Sequence, residues 1–374
     1  MRLLALVSLI LIGIFPAATS AQLKIGISGP LEGSNAGSML ELVKGATMYV
    51  DLINQAGGVH GKKVQIIARD DNFEVSKTVA VVKKLIEDDN VLALMLVRGT
   101  PHNEAILPLI AQHRIALVAP STGAMVFHKP VNPYVFNVRT AYQLEATKLV
   151  ALLKTVGMEK IAVLHVDDGF GQDALQGLKT GFMDSSLLPA AIVPFDRKLA
   201  AKDNTDFMKP VLPQLLKSDP GVIVIVGAGL AVKNAIVAIR AAGSSAKIAT
   251  MSNNASTAFI KLLDTNARGV IVSQVFPDEK SLTNAFVREA QQTAYKNKVT
   301  LTPGMMEGYA AAKVMVKALR EAGSNPTRAS VIAALNSMNS FDLGDITIRY
   351  SATDHTGLDL TDLSIITKDK AFMR

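Results

Sequence analysis

Three glycine-rich stretches of the sequence resemble the motifs with which proteins bind the phosphates of nucleotide cofactors. In LKIGISGPLEGSNAG, at residues 23–37, the glycines are spaced too widely for a dinucleotide fingerprint, and Pro30 favours an ordinary turn. GGVHGKK, at residues 57–63, has Lys63 where a P-loop needs Ser or Thr, and it follows a helical pattern instead of preceding one. VGAGLAV, at residues 226–232, lacks the acidic residue expected about 20 positions later. The sequence therefore predicts no nucleotide cofactor.

The residue types that build metal sites and catalytic centres are present but poorly arranged for either purpose. None of the six histidines stands at the helical spacing of metal ligands from another, and the chain has no cysteine. No GxSxG nucleophile motif occurs. Adjacent aspartates follow strands or helices, where carboxylates commonly cap a helix or face solvent. We predict no metal, no cofactor and no enzymatic activity; an enzyme built from scattered residues is the alternative.

The basic residues do not form a nucleic-acid-binding pattern. The formal net charge is +7, but lysines and arginines are dispersed, aromatic residues make up only 5% of the chain and tryptophan is absent. Such a chain has neither a basic stripe nor aromatic platforms for stacked bases. We interpret the charge as a solvated surface and expect no nucleic acid partner.

The first 21 residues have the organisation of a secretory signal peptide. Arg2 precedes the apolar segment LLALVSLILIGIF, Pro16 interrupts it, and small residues lead to Ala21. The apolar run is shorter than the roughly 20 residues that a membrane-spanning helix needs. No cysteine follows that could carry a lipid anchor. We therefore predict cleavage near Ala21 and a soluble protein in the periplasm.

Short apolar runs alternate with helical patterns from Leu23 onward. The runs KIGIS, VQIIA, VLALMLV and IALVAP precede or follow helices predicted at about residues 36–55, 76–87 and 103–112. Because these runs are almost wholly apolar, they are expected to be covered on both faces. That predicts a parallel sheet with helices on either side.

The same alternation restarts near Tyr142 and predicts a second lobe of similar construction. Helices are expected at about residues 144–155, 172–183 and 231–242. After Ser273, long helical patterns and a strand-rich tail follow without forming a third βαβ unit, so they are expected to complete the two lobes. The fold class is thus α/β, with two doubly wound Rossmann-like lobes, a hinge that the chain crosses several times, and a ligand cleft between the lobes.

Five blocks of the sequence together resemble the leucine/isoleucine/valine-binding family of ABC-transporter solute-binding proteins. They are DLINQAGGVHGKKVQIIARDD, KTVAVVKKLIEDDNVLALM, PYVFNVRTAYQLEATKLVALL, IAVLHVDDGFGQDAL and GYAAAKVMVKALREAG. The resemblance runs from Leu23 to about Phe372. It implies the type 1 periplasmic-binding fold, in which three crossovers join the lobes, and a receptor that serves an inner-membrane ABC permease. We expect the protein to be a monomer.

The resemblance also implies where the crossovers and domain boundaries lie. The crossovers are expected near Thr140, Ser273 and Asp345. With the signal peptide at residues 1–21, these positions divide the chain into lobe 1 and lobe 2. Lobe 1 then comprises residues 22–140 plus 273–345, and lobe 2 comprises residues 141–272 plus 346–374.

On the first lobe, family members hold the ligand carboxylate with hydroxyls and backbone amides from loops after two strands. Thr100 stands where the family places its first Ser or Thr, and Ser121, Thr122 and Gly123 occupy the second loop. Amides at the carboxyl ends of parallel strands suit an anion. For Thr100 the alternative is a helix N-cap. Arg98, at the end of an apolar strand, is a further candidate that suits a bidentate pair with a carboxylate; a salt bridge to a neighbouring acidic residue is the alternative.

On the second lobe, the residues implied by the resemblance depart from the usual pattern. Phe170 stands where the family often has an aromatic residue before glycine, and Asn253 stands where amino-acid-binding members have the glutamate that receives the ligand ammonium. A neutral amide pairs with ammonium less well than a carboxylate. Glu145 is a candidate for the missing charge, with an exposed position in the first helical turn as the alternative. Tyr142 is a candidate for the cleft wall, with core packing at the hinge as the alternative.

Several functions are consistent with these observations. The first is uptake of a branched-chain or related amino acid, which the resemblance implies. The second is uptake of a carboxylate without an ammonium group, such as an aromatic or short-chain acid, which Asn253 motivates. A ligand-sensing subunit and a secreted enzyme on the same fold stay open as further hypotheses, because a fold alone does not determine function.

Overall fold

The computed structural model describes residues 22–374, which form two lobes, each built on its own sheet. The predicted signal peptide lies outside the described residues. Both sheets are mainly parallel, as the apolar runs predict. The strand VIVIV, for example, is buried at all five positions, since helices cover both faces of its sheet.

The first lobe has a parallel five-stranded sheet in the order β2-β1-β3-β4-β5. Its elements up to the first crossover alternate between strands and helices: β1 Leu23–Gly29, α1 Ala36–Gln55, β2 Val64–Asp70, α2 Val75–Glu87, β3 Ala93–Met95, α3 Thr100–His113, β4 Ala116–Val118 and β5 Val135–Phe136.

The second lobe has a seven-stranded sheet. The elements that follow the first crossover are α4 Tyr142–Thr155, β6 Ile161–Val166, α5 Gly169–Asp184, β7 Ala191–Phe195, α6 Arg197–Ala200, α7 Leu212–Leu216, β8 Val222–Val226, α8 Gly229–Ala241, β9 Lys247–Thr250, α9 Thr257–Leu263 and β10 Ile271–Gln274. A 3₁₀ turn at Ser252–Asn254 joins β9 to the segment before α9.

The chain then returns to the first lobe before it ends in the second. The returning elements are α10 Ala285–Lys296, α11 Pro303–Glu321, α12 Arg328–Asn336 and the short paired strands β11 Phe341–Asp342 and β12 Thr347–Ile348. The last two strands, β13 Asp362–Ile366 and β14 Phe372–Met373, extend the second sheet antiparallel at one edge. The order of that sheet is β14-β13-β10-β9-β8-β6-β7.

Helices α1 and α11 pack at backbone distance and form one side of the first lobe. A Cβ atom on Gly45 would lie 1.9 Å from the Met305 carbonyl oxygen, and a Cβ atom on Gly308 would lie 1.9 Å from that of Leu42. Only glycine permits this approach. The close packing fixes Glu41, on α1, beside Thr302 at the start of α11.

The three connections between the lobes form the hinge. The first lies around Thr140, between β5 and α4, and the second directly follows β10, since Val275 already packs in the core of the first lobe. The third comes later than the expected position near Asp345. Tyr350 and Leu358 still pack in the first-lobe core, and the chain enters the second sheet only at β13. The Tyr350 hydroxyl donates to the Asn137 carbonyl at 2.6 Å, which ties this tail to β5.

The two sheets direct their carboxyl ends toward a common cleft. Each sheet has a topological switch point, on either side of which the strand order runs in opposite directions. It lies between β1 and β3 in the first sheet and between β6 and β8 in the second. Ligands of doubly wound folds bind at such switch points. None of the helices within residues 22–374 is long and apolar enough to cross a membrane.

Candidate ligand-binding site

A narrow cavity of about 20 Å³ lies between the lobes at the switch points of both sheets. Six of the residues singled out from the sequence line it, namely Arg98, Thr100, Ser121, Tyr142, Phe170 and Asn253. Gly99 also lines the cavity, as do three residues that the sequence analysis did not single out: Phe73, Arg197 and Ala228. The cavity is therefore built by loops that follow strands of both lobes.

The turn after β3 forms the first-lobe wall. Its backbone is held by neighbouring strands, because Arg98 N–H donates to the Ser28 carbonyl at 3.2 Å and Ser121 N–H donates to the Val97 carbonyl at 2.9 Å. Gly99 has a φ of 95°, in the region that favours glycine. This turn lets α3 begin at Thr100, so the Thr100 side chain and the Arg98 guanidinium reach the same cavity.

The Thr100 and Thr122 hydroxyls form a buried pair with 2.7 Å between the oxygens. Thr100 is therefore not a helix N-cap; that position is taken by Gly99 and makes no side-chain cap. Thr122 is fully buried and lies behind the cavity wall, where it supports Thr100.

Gly123 also lies behind the wall and contacts the hinge instead of the cavity. Its carbonyl accepts a 2.6 Å hydrogen bond from Tyr142 N–H, and a Cβ atom there would lie 2.7 Å from the Thr140 carbonyl oxygen. Gly123 therefore makes a close backbone contact with the first crossover, and its expected ligand contact through the backbone amide stays a prediction.

The second-lobe wall is aromatic on one side and polar on the other. The rings of Tyr142 and Phe170 lie 4.8 Å apart, and the Asp168 carboxylate caps α5 by accepting from the Phe170 backbone N–H at 3.0 Å. Asn253 donates its amide to the Gly227 carbonyl at 2.9 Å. Its Oδ1 is buried and has no hydrogen-bond partner among the described residues.

Glu145 is neither a cleft residue nor an exposed one. It is completely buried, and its Oε1 accepts from Ser252 N–H at 2.7 Å and from the Ser273 hydroxyl at 2.6 Å. Its Oε2 accepts from the Ser252 hydroxyl at 2.9 Å and from Arg139 Nη2 at 3.3 Å. Both oxygens are therefore occupied by protein donors. This corrects the expectation that Glu145 receives a ligand ammonium.

Arg139 connects this carboxylate to the first lobe. Its side chain is 2% exposed and lies 3.7 Å from the Glu307 carboxylate as well as beside Glu145. Burial by itself lowers the pKa of Arg139, but Tyr142, Glu307 and Glu145 raise it by more, so the net pKa lies above its usual value. We call Arg139, Glu145, Ser252, Ser273 and Glu307 the hinge network.

Arg98 has the opposite electrostatic environment. Its guanidinium donates to the Ser121 hydroxyl at 3.4 Å and to the Asn253 carbonyl at 3.1 Å, and it forms no ion pair with any carboxylate of residues 22–374. Burial lowers the pKa of Arg98, and the opposing effects of Glu307, Tyr142 and Asp71 offset this only in part. The expected alternative, a salt bridge to a neighbouring acidic residue, is not formed. The cavity therefore contains a cation without a protein counterion.

The residues that sequence reasoning missed also follow parallel strands. Phe73 comes after β2 and has a φ of 58°, which is uncommon for a bulky residue. Its ring stacks on His102 at 4.5 Å between centroids. Arg197 comes after β7 and is ion-paired with Asp168. The signal available in the sequence was positional: the residues just beyond the carboxyl ends of β2 and β7 face the same cleft as those beyond β3.

Direct contacts join the lobes outside the cavity. Glu41 of the first lobe accepts from the Thr257 hydroxyl at 2.7 Å and from the Ala258 N–H at 2.9 Å, at the start of α9 in the second lobe. Beside them, the Ser38 and Ser256 hydroxyls are hydrogen-bonded at 2.7 Å. We call Glu41, Thr257 and Ala258 the interlobe latch.

Comparison with known proteins agrees with this architecture. A family model described as periplasmic binding protein matches residues 22–362. The chain belongs to the periplasmic binding protein family. A Leu/Ile/Val-binding protein homolog of Brucella melitensis is 24% identical over 346 residues, which are 91% of this chain and 90% of that protein. The family accounts for the two-lobed α/β fold.

Two solved structures show how far the similarity extends. A substrate-binding periplasmic protein from Ralstonia solanacearum has a TM-score of 0.83 and 28% identity, covering 94% of this chain and 99% of that chain. A fatty acid ABC transporter substrate-binding protein from Thermomonospora curvata has a TM-score of 0.81 and 20% identity, covering 96% of this chain and 93% of that chain. Periplasmic binding proteins of this family bind small molecules and work with ABC transporters.

Proposed function

We propose that this protein is the periplasmic receptor of an ABC importer, and that it captures a small carboxylate-bearing solute and delivers it to an inner-membrane permease. The observation that carries the proposal is the unpaired Arg98 guanidinium beside the Thr100 and Ser121 side chains in an interlobe cavity. A guanidinium and hydroxyl groups are strong donors to a carboxylate when they are removed from water.

Binding requires no covalent chemistry. The carboxylate is bound on the first lobe, and the Tyr142 and Phe170 rings of the second lobe cover the apolar part of the solute. Closure removes water from both surfaces and brings the latch residues together. Affinity then comes from preformed donors and apolar contact in a largely enclosed site.

The similar proteins make two kinds of carboxylate the first solutes to test. One relative is named as a Leu/Ile/Val-binding protein, and a protein that shares only the fold is named as a fatty acid transporter component. A thermal-shift screen of amino acids, aromatic acids and short-chain acids, followed by calorimetry, tests binding. A ligand at about 1,000 times its dissociation constant stabilises the fold by roughly 4 kcal/mol. Stabilisation by sugars or polyamines alone contradicts the proposal.

Transport and location are tested in the cell that encodes the protein. Deletion of the gene is expected to abolish uptake of the bound solute, whereas a sensing role predicts an altered response with uptake intact. Mass spectrometry of the periplasmic fraction is expected to find a mature chain that starts at Gln22. Size-exclusion chromatography with light scattering is expected to give the mass of a monomer.

A further inference from the structure

The charges around the cavity distinguish between carboxylates that carry an ammonium group and those that lack one. The lining residues include the guanidiniums of Arg98 and Arg197 and no carboxylate. Asp168 partly neutralises Arg197 through an ion pair, whereas Arg98 is without a counterion among residues 22–374. The wall is therefore positive. A carboxylate of the ligand compensates this charge, but an ammonium group adds to it.

Neither of the residues placed to receive an ammonium group is able to do so. Glu145 has both oxygens occupied within the hinge network and does not reach the cavity. Asn253 reaches the cavity but is neutral, and its amide nitrogen is committed to the Gly227 carbonyl. Only its Oδ1 is left for a ligand, and a single neutral acceptor compensates an ammonium group poorly in a dry cleft.

The remaining wall suits a hydrocarbon or aromatic body. Phe73, Tyr142, Phe170 and Ala228 line the cavity, and its narrowness favours a small molecule as the occupant. We propose that the site selects a small monocarboxylate without an ammonium group, such as a short-chain, aromatic or 2-hydroxy acid, over the amino acid with the same side chain. This inference rests on the proposed function and specifies its ligand class.

Calorimetry with matched ligands tests the selection directly. One series is leucine, 4-methylpentanoate and 2-hydroxy-4-methylpentanoate; the other is phenylalanine, 3-phenylpropanoate and 3-phenyllactate. In the series that binds, at least one ammonium-free acid is expected to bind ten or more times more tightly than the amino acid. Tighter binding of the amino acid than of both ammonium-free partners overturns the inference and leaves the proposed function standing. If no carboxylate binds to the folded protein, both are overturned.

Two variants identify the groups responsible. Arg98→Gln is expected to weaken binding of the acid at least tenfold, while Arg349→Gln, an exposed arginine outside the cleft, leaves it unchanged. Asn253→Glu places a carboxylate at the second-lobe wall and is expected to reverse the preference, improving the amino acid and weakening the acid by tenfold or more. Unchanged acid affinity in Arg98→Gln contradicts the assigned carboxylate contact.

Discussion

The hinge network and the cavity wall both contain a buried arginine, but only one of them is compensated. In the hinge, Arg139 lies beside the carboxylates of Glu145 and Glu307, and its pKa is raised. In the cavity, Arg98 donates to a hydroxyl and a carbonyl and has no carboxylate partner within residues 22–374, and burial lowers its pKa. A buried charge that is fully paired supports structure, whereas one that lacks a counterion costs stability and is expected at a site of function.

The largest effect is expected from breaking the hinge network. Glu145→Ala removes four accepted hydrogen bonds and leaves Arg139 with the Ser252 hydroxyl and, as its carboxylate partner among residues 22–374, the more distant Glu307. Loss of one partner of a buried ion pair typically costs 3–5 kcal/mol, so the free energy of unfolding in urea is expected to fall by about that amount. The exposed Glu159→Ala is the control, with a change within about 0.5 kcal/mol. A loss below about 1 kcal/mol for Glu145→Ala contradicts the assigned role.

Gly123 lies where the cavity wall meets the first crossover of the hinge, so a substitution there tests how tightly the two regions pack. Gly123→Ala places a Cβ atom 2.7 Å from the Thr140 carbonyl oxygen and 2.8 Å from Tyr142 N, and both of these are backbone atoms that move with difficulty. Overpacking of this kind is expected to cost about 1–3 kcal/mol in the free energy of unfolding. Gly221→Ala is the matched control, because its nearest contact would be 3.8 Å. Equal stability of the two variants would show that the crossover has room to adjust.

The hydrogen-bonded hydroxyls of Thr100 and Thr122 are expected to affect both stability and ligand binding. Thr100→Val or Thr122→Val leaves the other hydroxyl without its 2.7 Å partner and is expected to cost about 1–2 kcal/mol. Because the two groups share one hydrogen bond, the double variant is expected to cost less than the sum of the single variants. Only Thr100 lines the cavity, so calorimetry is expected to show a larger loss of affinity for Thr100→Val. Equal losses for both variants would place Thr122 in contact with the ligand.

The interlobe latch is expected to affect closure without changing the wall. Glu41→Ala removes the acceptor for the Thr257 hydroxyl and the Ala258 N–H. These hydrogen bonds join the lobes only when the cleft is closed, so their loss disfavours the closed state. Ligand binding is therefore expected to weaken by about three- to tenfold. Small-angle scattering without ligand is expected to give a larger radius of gyration for the variant. Glu159→Ala serves again as the control, and an unchanged affinity in Glu41→Ala means that the latch contributes nothing to closure.

The smallest effect on stability is expected at Arg98. Arg98→Met removes a buried cation that has no counterion, so the free energy of unfolding is expected to change by less than about 1 kcal/mol or to rise. Arg139→Met is expected to lower the free energy of unfolding by several times that amount. If Arg98→Met is as destabilising as Arg139→Met, the contrast between the two regions fails.

Helices and sheet type follow from local patterns and were predictable. The apolar stripe predicts a helix at about residues 36–55, and α1 spans Ala36–Gln55. The helix predicted from about residue 144 begins slightly earlier, at Tyr142. Such agreement is expected because helical periodicity is a property of consecutive residues and of the face that they bury. The parallel sheets follow in the same way from apolar runs covered on both sides.

The site was predictable only in part, because it depends on where distant segments meet. The loops after β3, β4 and β9 could be recognised, and Arg98, Thr100, Ser121 and Asn253 lie together in the cavity. Phe73 and Arg197 were missed, since no sequence pattern indicates how far a loop reaches across a cleft. The third crossover was expected near Asp345, yet the core contacts of Tyr350 and Leu358 keep the chain in the first lobe for longer.

The amino-acid sequence by itself determined the two-lobed α/β architecture, the alternation of strands and helices, and the donors offered at the ends of the strands. Only the tertiary structure decided that Glu145 belongs to the hinge and that Arg98 belongs to the cavity. Glu145 bonds to Ser252 and Ser273, which lie 107 and 128 positions further along the chain. Whether a charge is compensated depends on neighbours that folding brings together, and local periodicity carries no information about them.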